Sequence, residues 1–179
     1  MKVYVIAGKA GCGKNTSANY IKDYYESIGK KCVITEVSKY LKLFAYEMLN
    51  WDGKRETKPR KFLQEVGSYI RHELYDEDFL INRLVEDIKI YEKLVDVVIV
   101  ADARLPKEID LLKEKENATA IKIVNNFNDY ELQNDEKYHE TETALNNYEK
   151  FDYVINNRTF ENLNEDIIKA VKEVESNEE

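Results

Sequence analysis

Short apolar runs alternate with longer amphipathic stretches along the whole chain. Each run is rich in β-branched residues and bounded by polar ones, which is typical of buried strands. Between the runs, apolar residues recur at every third or fourth position, which predicts helices. The alternation predicts an α/β fold with a five-stranded, mostly parallel sheet covered on both faces by helices. The predicted strands cover residues 3–7, 32–37, 95–101, 118–124 and 151–155.

The longest interval between predicted strands covers residues 38–93 and contains three helical patterns. We interpret it as a helical insertion within a single domain of residues 1–179, because no linker, repeat or low-complexity tract divides the chain. A domain of this size buries about 70% of the surface that its unfolded chain exposes. Parallel sheets bind ligands at the carboxyl ends of their strands, so candidate chemistry is expected there.

The segment after the first strand has the pattern of a phosphate-binding loop. The motif GxxxxGK is matched at Gly8, Gly13 and Lys14, and a helical pattern follows. Its glycines let backbone N–H groups turn toward a phosphate chain, to which the next helix presents its positive end. We therefore predict that the chain binds ATP or GTP. The predicted ATP-binding residues here are Gly8, Lys9, Ala10, Gly11, Cys12, Gly13, Lys14, Asn15 and Thr16.

The residue after Lys14 departs from the usual pattern. A Ser or Thr normally stands there, but this chain has Asn15 and places a hydroxyl only at Thr16. Mg²⁺ prefers hard oxygen ligands, and both side chains offer one. Successive helical residues are rotated by about 100°, so Asn15 and Thr16 cannot both face the ion in the same way. The sequence leaves open which of them contacts Mg²⁺.

A helix is predicted to begin at Pro59. Arg60, Gln64 and Arg71 lie off its apolar stripe, and their spacing of 4 and 7 places them along one face. Such a row could bind a phosphate with its arginines and a base edge with its amide. The alternative is a solvated polar face. Lys39, after the second strand, is a further candidate for binding an acceptor.

The third apolar run is followed by Asp102 and Arg104. A carboxylate at a strand end is where phosphate-loop enzymes hold Mg²⁺, so Asp102 is a candidate metal ligand, although it could merely start a turn. Arg104 could reach a transferring phosphoryl group. Glu108 is expected to support Arg104 or the first turn of the next helix. The predicted catalytic residues are therefore Lys14, Asp102 and Arg104.

Charge and cysteine content narrow the class of protein. A net charge of −8 and a pI near 5.0 argue against a broad basic face for nucleic acid. Cys12 and Cys32 form no disulfide framework. No apolar run approaches the ~20 residues of a membrane span, and no signal peptide precedes the first strand. We expect a cytoplasmic enzyme without membrane or nucleic-acid partners, either a monomer or a homodimer.

Taken in order, these segments resemble the nucleoside monophosphate kinases, specifically the deoxynucleoside monophosphate kinases of phage type. The resemblance extends over nearly the whole chain. That family has a loop similar to GKxxSGKDT, followed by Leu-Gln-x-x-Gly-x-x-x-Arg, Asp-x-Arg-x-x-x-Glu and His-x-Ser-Glu-Thr segments. The matching positions are residues 9–16, then Leu63, Gln64, Gly67 and Arg71, then Asp102, Arg104 and Glu108, then residues 139–143.

The resemblance implies a phosphate-loop (P-loop) NTPase fold of three α/β/α layers, with an acceptor-binding insertion over 38–93 and a lid-like segment over 126–145. It implies transfer of the γ-phosphoryl group of Mg·ATP to a (deoxy)nucleoside monophosphate. Asn157 and Arg158 are candidates to flank the adenine of ATP. The metal candidates are Asn15, Thr16 and Asp102, and the acceptor-binding candidates are Lys39, Arg60, Gln64, Arg71, His139 and Glu142.

The lid-like segment departs from the family pattern. Its only permanent cation is Lys137, and Asn125 and Asn126 stand where an arginine is usual. An arginine that stabilises transferring charge is worth roughly 10³ to 10⁵ in rate, so Arg104 or Arg158 would have to supply it.

Three other functions stay open. The first is a kinase of the same fold with a non-nucleotide acceptor such as phosphomevalonate. The second is a nucleotide-binding regulatory protein without transferase activity, which the arginine-poor lid favours. A GTPase ranks last, because the chain has no Asn-Lys-x-Asp motif for guanine.

Overall fold

All five predicted strands form one parallel sheet. The computed structural model describes residues 1–74, 76–125 and 138–177. The strand order is β2-β3-β1-β4-β5, with β1 at the centre. The predicted α/β class and the parallel sheet are thus confirmed. The strands are β1 (Lys2–Ala7), β2 (Cys32–Thr35), β3 (Val97–Ala103), β4 (Thr119–Val124) and β5 (Tyr153–Asn156).

Helices cover both faces of the sheet. The described residues form seven α-helices and one π-helical turn at Ile70–Leu74, which continues directly from the third helix. The helices are α1 (Lys14–Ser27), α2 (Lys39–Leu49), α3 (Arg60–Tyr69), α4 (Phe79–Tyr91), α5 (Pro106–Glu116), α6 (Glu140–Thr143) and α7 (Phe160–Ser176).

The alternation of side chains along β1 separates two hydrophobic cores. Val3 and Val5 point into a core shared with helices α2 to α5, whereas Tyr4 and Ile6 point into a core shared with α1 and α7. These four residues are at most 4% exposed. Complete burial of one such aliphatic side chain is worth roughly 1.5–3 kcal/mol, so the two cores fix the sheet between its helical layers.

Two strand boundaries differ from the prediction for a reason that involves the site. β2 ends at Thr35, two residues earlier than expected, and β3 extends through Ala103. The backbone N–H groups of Val37 and Ser38 donate to the Asp102 carboxylate at 2.7 and 3.1 Å. The end of β3 thus binds the loop after β2 through a side chain instead of through strand pairing.

The predicted insertion over 38–93 contains the three helices α2, α3 and α4, together with the π-helical turn that continues α3. Residues 126–137 of the predicted lid-like segment, including Asn126 and Lys137, lie outside the described residues. Its remaining part contains α6. Among the described residues, no helix is both long enough and apolar enough to cross a membrane.

Candidate active site

A cavity of about 490 Å³ opens at the carboxyl ends of β1 and β3. Its wall combines the loop after β1, the end of β3, the helical insertion and α6. Seven Lys and Arg side chains and four acidic side chains of the described residues line it, although the whole chain is acidic. This excess of positive charge suits an anionic ligand. The cations are Lys14, Lys42, Arg55, Lys58, Arg60, Arg71 and Arg104, and the carboxylates are Glu36, Asp102, Glu108 and Glu142.

Glycine is required at two positions of the loop after β1. Gly8 and Gly13 have φ angles of 145° and 107°, in the region that disfavours L side chains. A Cβ on Gly8 would lie 2.5 Å from the carbonyl oxygen of Ile123, and one on Gly13 would lie 2.7 Å from Nδ2 of Asn157. Helix α1 begins directly after this loop, with no side-chain cap and no acidic residue in its first turn. Its N-terminus can therefore bind an anion.

Lys14 lies folded over this loop. Its Nζ donates hydrogen bonds of 2.7 and 2.6 Å to the carbonyl oxygens of Gly8 and Lys9. The side chain belongs to a residue only 7% exposed. Burial, and then the positive charge of Arg104, lower the pKa of Lys14 to about 8. The ammonium group is still mostly charged at pH 7, and the negative charge of a bound phosphate would raise its pKa.

Asp102 has a structural role in addition to its position in the cavity. Besides the two backbone N–H groups, the hydroxyl of Ser38 donates to its carboxylate. Because a carboxylate has about four acceptor sites, roughly one is left for another partner. Asp102 thus fixes the N-terminus of α2 and retains capacity for a water molecule or a metal ion.

The donor set is compatible with Mg²⁺ bound together with phosphates. Asn15 and Thr16 line the same cavity as Asp102. Within the described ranges, no group of three or more His, Cys, Asp or Glu is arranged to hold a metal. Mg²⁺ is commonly bound through one or two carboxylates plus substrate phosphates, and the residues present fit that mode.

Two arginines of the cavity pair with glutamates of α6. Arg104 donates through Nη1 to Oε1 of Glu142, and the other carboxylate oxygen of Glu142 accepts from the backbone N–H of Ala10 at 2.9 Å. Arg71 donates through Nη2 to Oε1 of Glu140 at 2.5 Å. The Nε atom of Arg71 is buried and has no hydrogen-bond partner among the described residues.

Glu108 holds the turn that presents Arg104. Its Oε2 accepts from the backbone N–H groups of Arg104 and Leu105 at 2.8 and 3.0 Å, which caps the start of α5. Burial raises the pKa of Glu108 to about 7, against the opposing effect of these two hydrogen bonds. Glu108 therefore contributes to the site through backbone geometry.

Arg60, Gln64 and Arg71 all line the cavity, as their spacing predicts. Arg71 lies in the π-helical turn that continues α3. Gly67 makes room for it, because a Cβ there would lie 3.2 Å from Nη1 of Arg71 and 3.2 Å from Leu41. The Gly-x-x-x-Arg pattern thus has a packing cause.

Outside the loop after β1, three predicted site residues lie away from the cavity wall. Lys39 pairs with Asp87 at 2.8 Å on the surface, because α2 points it toward α4. The ring of His139 caps α6 by accepting from the N–H of Thr141, and burial lowers the pKa of this ring. Arg158 lines a separate groove beside β5.

Within the loop after β1, Ala10, Gly11, Gly13, Lys14, Asn15 and Thr16 line the cavity, whereas Gly8, Lys9 and Cys12 do not. Cys12 is buried beneath the loop. Asn157 lines the cavity and donates through Nδ2 to the carbonyl oxygen of Cys12 at 2.9 Å. The end of β5 therefore supports the loop.

The sequence reasoning missed part of the cavity wall between α2 and α3. Arg55 and Lys58 line it, and Lys42 and Trp51 lie nearby in the same wall. Burial, and then the charge of Lys42, lower the pKa of Lys58 to about 8. The available signal was the basic density of residues 54–61 in an otherwise acidic chain.

Comparison with known proteins identifies relatives of both the sequence and the fold. A sequence model of the family described as deoxynucleotide monophosphate kinase matches residues 30–167, which is more than half of the chain. The matched range begins after the phosphate-binding loop, so the loop motif is evidence for a phosphate-binding site that is independent of this match. No curated protein sequence matches the chain significantly.

Solved structures with a similar fold cover nearly the whole chain. Shikimate kinase from Aquifex aeolicus is 16% identical with a TM-score of 0.52, and the match covers 99% of this chain and 98% of that one. A sugar kinase from Janibacter sp. HTCC2649 is 14% identical with a TM-score of 0.51, over 96% and 93% of the two chains. At these identities, the likeness concerns the fold alone.

Proposed function

The chain belongs to the deoxynucleotide monophosphate kinase family, and from this premise we propose that it transfers the γ-phosphoryl group of Mg·ATP to a (deoxy)nucleoside monophosphate. The products are ADP and a nucleoside diphosphate. One observation carries the proposal: a single cavity joins the phosphate-binding loop to Arg60, Gln64, Arg71 and Arg104. Donor and acceptor phosphates can therefore meet in one cation-lined space.

The donor half of the proposed site is the loop and the start of α1. Backbone N–H groups of residues 11–14 hold the β-phosphate, and Lys14 leaves the carbonyl oxygens of Gly8 and Lys9 to bridge to the γ-phosphate. Asn157 and Arg158 are proposed to flank the adenine. The hydrogen bond from Asn157 to the carbonyl oxygen of Cys12 places this residue beside the loop and supports the assignment. The side chain of Arg158 lies in a separate groove and would have to rotate toward the cavity.

The acceptor half is the face of α3 and the π-helical turn. Arg60 and Arg71 bind the acceptor phosphate, and Gln64 contacts its base. The buried, unpartnered Nε of Arg71 is a donor with no alternative use among the described residues, and a buried donor without a partner is costly. A phosphate would satisfy it.

Transfer itself needs positioning and charge neutralisation more than covalent chemistry. Arg104 interacts electrostatically with Lys14 of the donor half and with Arg60 of the acceptor half, and it neutralises charge on the transferring group in place of a lid arginine. Asn15 or Thr16, together with Asp102, would hold Mg²⁺. When bound, the metal supplies Lewis-acid neutralisation of the phosphate oxygens. Both cysteines are free thiols, which suits the proposed cytoplasmic location.

A panel assay tests the proposal. ADP release from Mg·ATP is measured with each ribo- and deoxynucleoside monophosphate and with phosphomevalonate, using the Lys14→Ala variant as the blank. Stimulation by one or more nucleotides supports the proposal. Stimulation by phosphomevalonate alone would mean that the acceptor is not a nucleotide. ATP binding without any stimulation favours a regulatory protein.

A further inference from the structure

We propose that helix α6 is an acidic brace, in which Glu142 orients Arg104 for phosphoryl transfer and Glu140 orients Arg71 for acceptor binding. Both glutamates are thus positioning residues that act through arginines. This inference rests on the proposed function, and it deepens that function by explaining how a site with an arginine-poor lid fixes its remaining arginines.

Glu142 joins two parts of the site beyond the point where the pairing of β1 with β3 ends, at Ala7 and Ala103. Its residue is only 7% exposed, and its two carboxylate oxygens have different partners. One accepts from Arg104, which follows β3, and the other accepts from the N–H of Ala10, in the loop after β1. A buried carboxylate with both oxygens bound by protein is poorly suited to contact an anionic acceptor. It is well suited to fix the guanidinium relative to the loop.

The neighbouring contact repeats this arrangement. Glu140 accepts from Arg71 at 2.5 Å and lies 3.4 Å from the Nε2 atom of His72. The backbone of α6 is itself fixed at its start, where the ring of His139 accepts from the N–H of Thr141 and lies 3.2 Å from the hydroxyl of Ser68. One helical turn thus holds two arginines from two different elements.

The contacts favour a brace over a carboxylate that merely occupies the phosphate position. The loop N–H group that donates to Glu142 is that of Ala10, which lies outside residues 11–14, to which we assign the β-phosphate. A guanidinium has five N–H donors, and Glu142 uses Nη1 alone, so donors of Arg104 remain for a phosphate. A carboxylate in the phosphate position would compete with substrate. A brace instead leaves the N–H groups of residues 11–14 and the remaining donors of Arg104 available.

The first test replaces Glu142 by Gln, which keeps the shape and removes the charge. We expect kcat to fall about 10- to 100-fold, the usual cost of a misplaced catalytic group, with KM for ATP within about twofold. Glu149→Gln, at an exposed position in the loop after α6, is the matched control and should be unchanged. Glu142→Asp keeps the charge on a shorter side chain and should retain more activity than Gln. An unchanged or increased kcat in Glu142→Gln overturns the brace.

A double variant tests whether Glu142 acts through Arg104. If it does, Glu142→Gln should add little to the loss caused by Arg104→Lys, because the brace has lost its partner. Losses that multiply would instead show an independent role for Glu142 and overturn the proposal.

A measurement on the free protein separates failure of the brace from failure of the proposed function. The Arg104 guanidinium should give a sharp Nε–H signal by NMR, assigned by its loss in Arg104→Lys. This signal should broaden in Glu142→Gln but persist in Glu149→Gln. If no acceptor supports transfer, the proposed function fails, and this signal still decides the brace: an unaltered Arg104 signal in Glu142→Gln overturns it.

Discussion

Replacement of Lys14 by Met should stabilise the free protein while it abolishes turnover. The pKa of Lys14 is lowered from 10.5 to about 8, chiefly by burial. At about 1.4 kcal/mol for each pKa unit, the folded cavity disfavours the charged ammonium by roughly 3 kcal/mol at pH 7. Met retains most of the apolar stem and removes this cost.

Two hydrogen bonds oppose the gain. The carbonyl oxygens of Gly8 and Lys9 lose their contacts with Nζ, at about 1 kcal/mol each. The net expectation is a stabilisation of about 1 kcal/mol, which corresponds to a rise in Tm of about 2–4 °C for a domain of this size. The assay is thermal unfolding at pH 7 with and without Mg·ATP, and ATP should raise Tm only for the unmodified protein.

The pH dependence gives the sharper check. Because the folded pKa is lower than the unfolded one, the unfolded chain binds more protons between pH 8 and 10.5. The loss of folding stability that the buried Lys14 charge causes is therefore at its full value below pH 8 and disappears as the pH rises toward 10.5. The advantage of the Met variant should reverse over this window. Lys169→Met, at an exposed position on α7, is the control. Destabilisation of Lys14→Met by more than 1 kcal/mol at pH 7, or a pH-independent difference, would refute the reasoning.

Three further predictions address other parts of the site. Asp102→Asn should destabilise the protein by about 2 kcal/mol in thermal unfolding, because the new amide N–H group would face the N–H donors of Val37 or Ser38. Ser38→Ala should lower the stability by less, and equal losses of stability in the two variants would contradict this. Gly67→Ala should raise KM for the acceptor about three- to tenfold by displacing Arg71, with KM for ATP unchanged in steady-state kinetics; a selective rise in KM for ATP would count against it. The Kd of ATP, measured by calorimetry, should rise about tenfold per pH unit above pH 8 as Lys14 loses its proton. Lys58 has a similar pKa, so the Lys58→Met variant is the control and should show the same slope. A Kd that does not change with pH would disprove the linkage.

The five strands were predictable because buried parallel strands leave continuous apolar runs in the sequence. The loop after β1 was predictable because its chemistry depends on glycines at fixed positions. Boundaries failed where a side chain replaced strand pairing, as Asp102 does for the loop that contains Val37 and Ser38. Local patterns carry no information on such a long-range partner.

The cavity wall was only partly predictable for the same reason. Arg60, Gln64 and Arg71 share one helical face, so their spacing alone places them together. Lys39 has the right position after β2, but its side chain turns to Asp87, on α4. Lys58 enters the wall through an irregular loop, which no periodicity describes.

The contacts of α6 were also beyond sequence reasoning. Glu142 was expected to bind the acceptor, yet both of its carboxylate oxygens accept hydrogen bonds from the protein. Glu142 reaches Arg104 and Ala10 across 38 and 132 residues of sequence. Only the packing of the fold brings these groups together.

Transfer of label from [γ-³²P]ATP to a deoxynucleoside monophosphate tests the central claim most directly, because it identifies the product and excludes simple hydrolysis. The account predicts labelled deoxynucleoside diphosphate with the unmodified protein and none with Lys14→Ala. Label released only as inorganic phosphate, or retained entirely in ATP with every nucleotide acceptor, would contradict it.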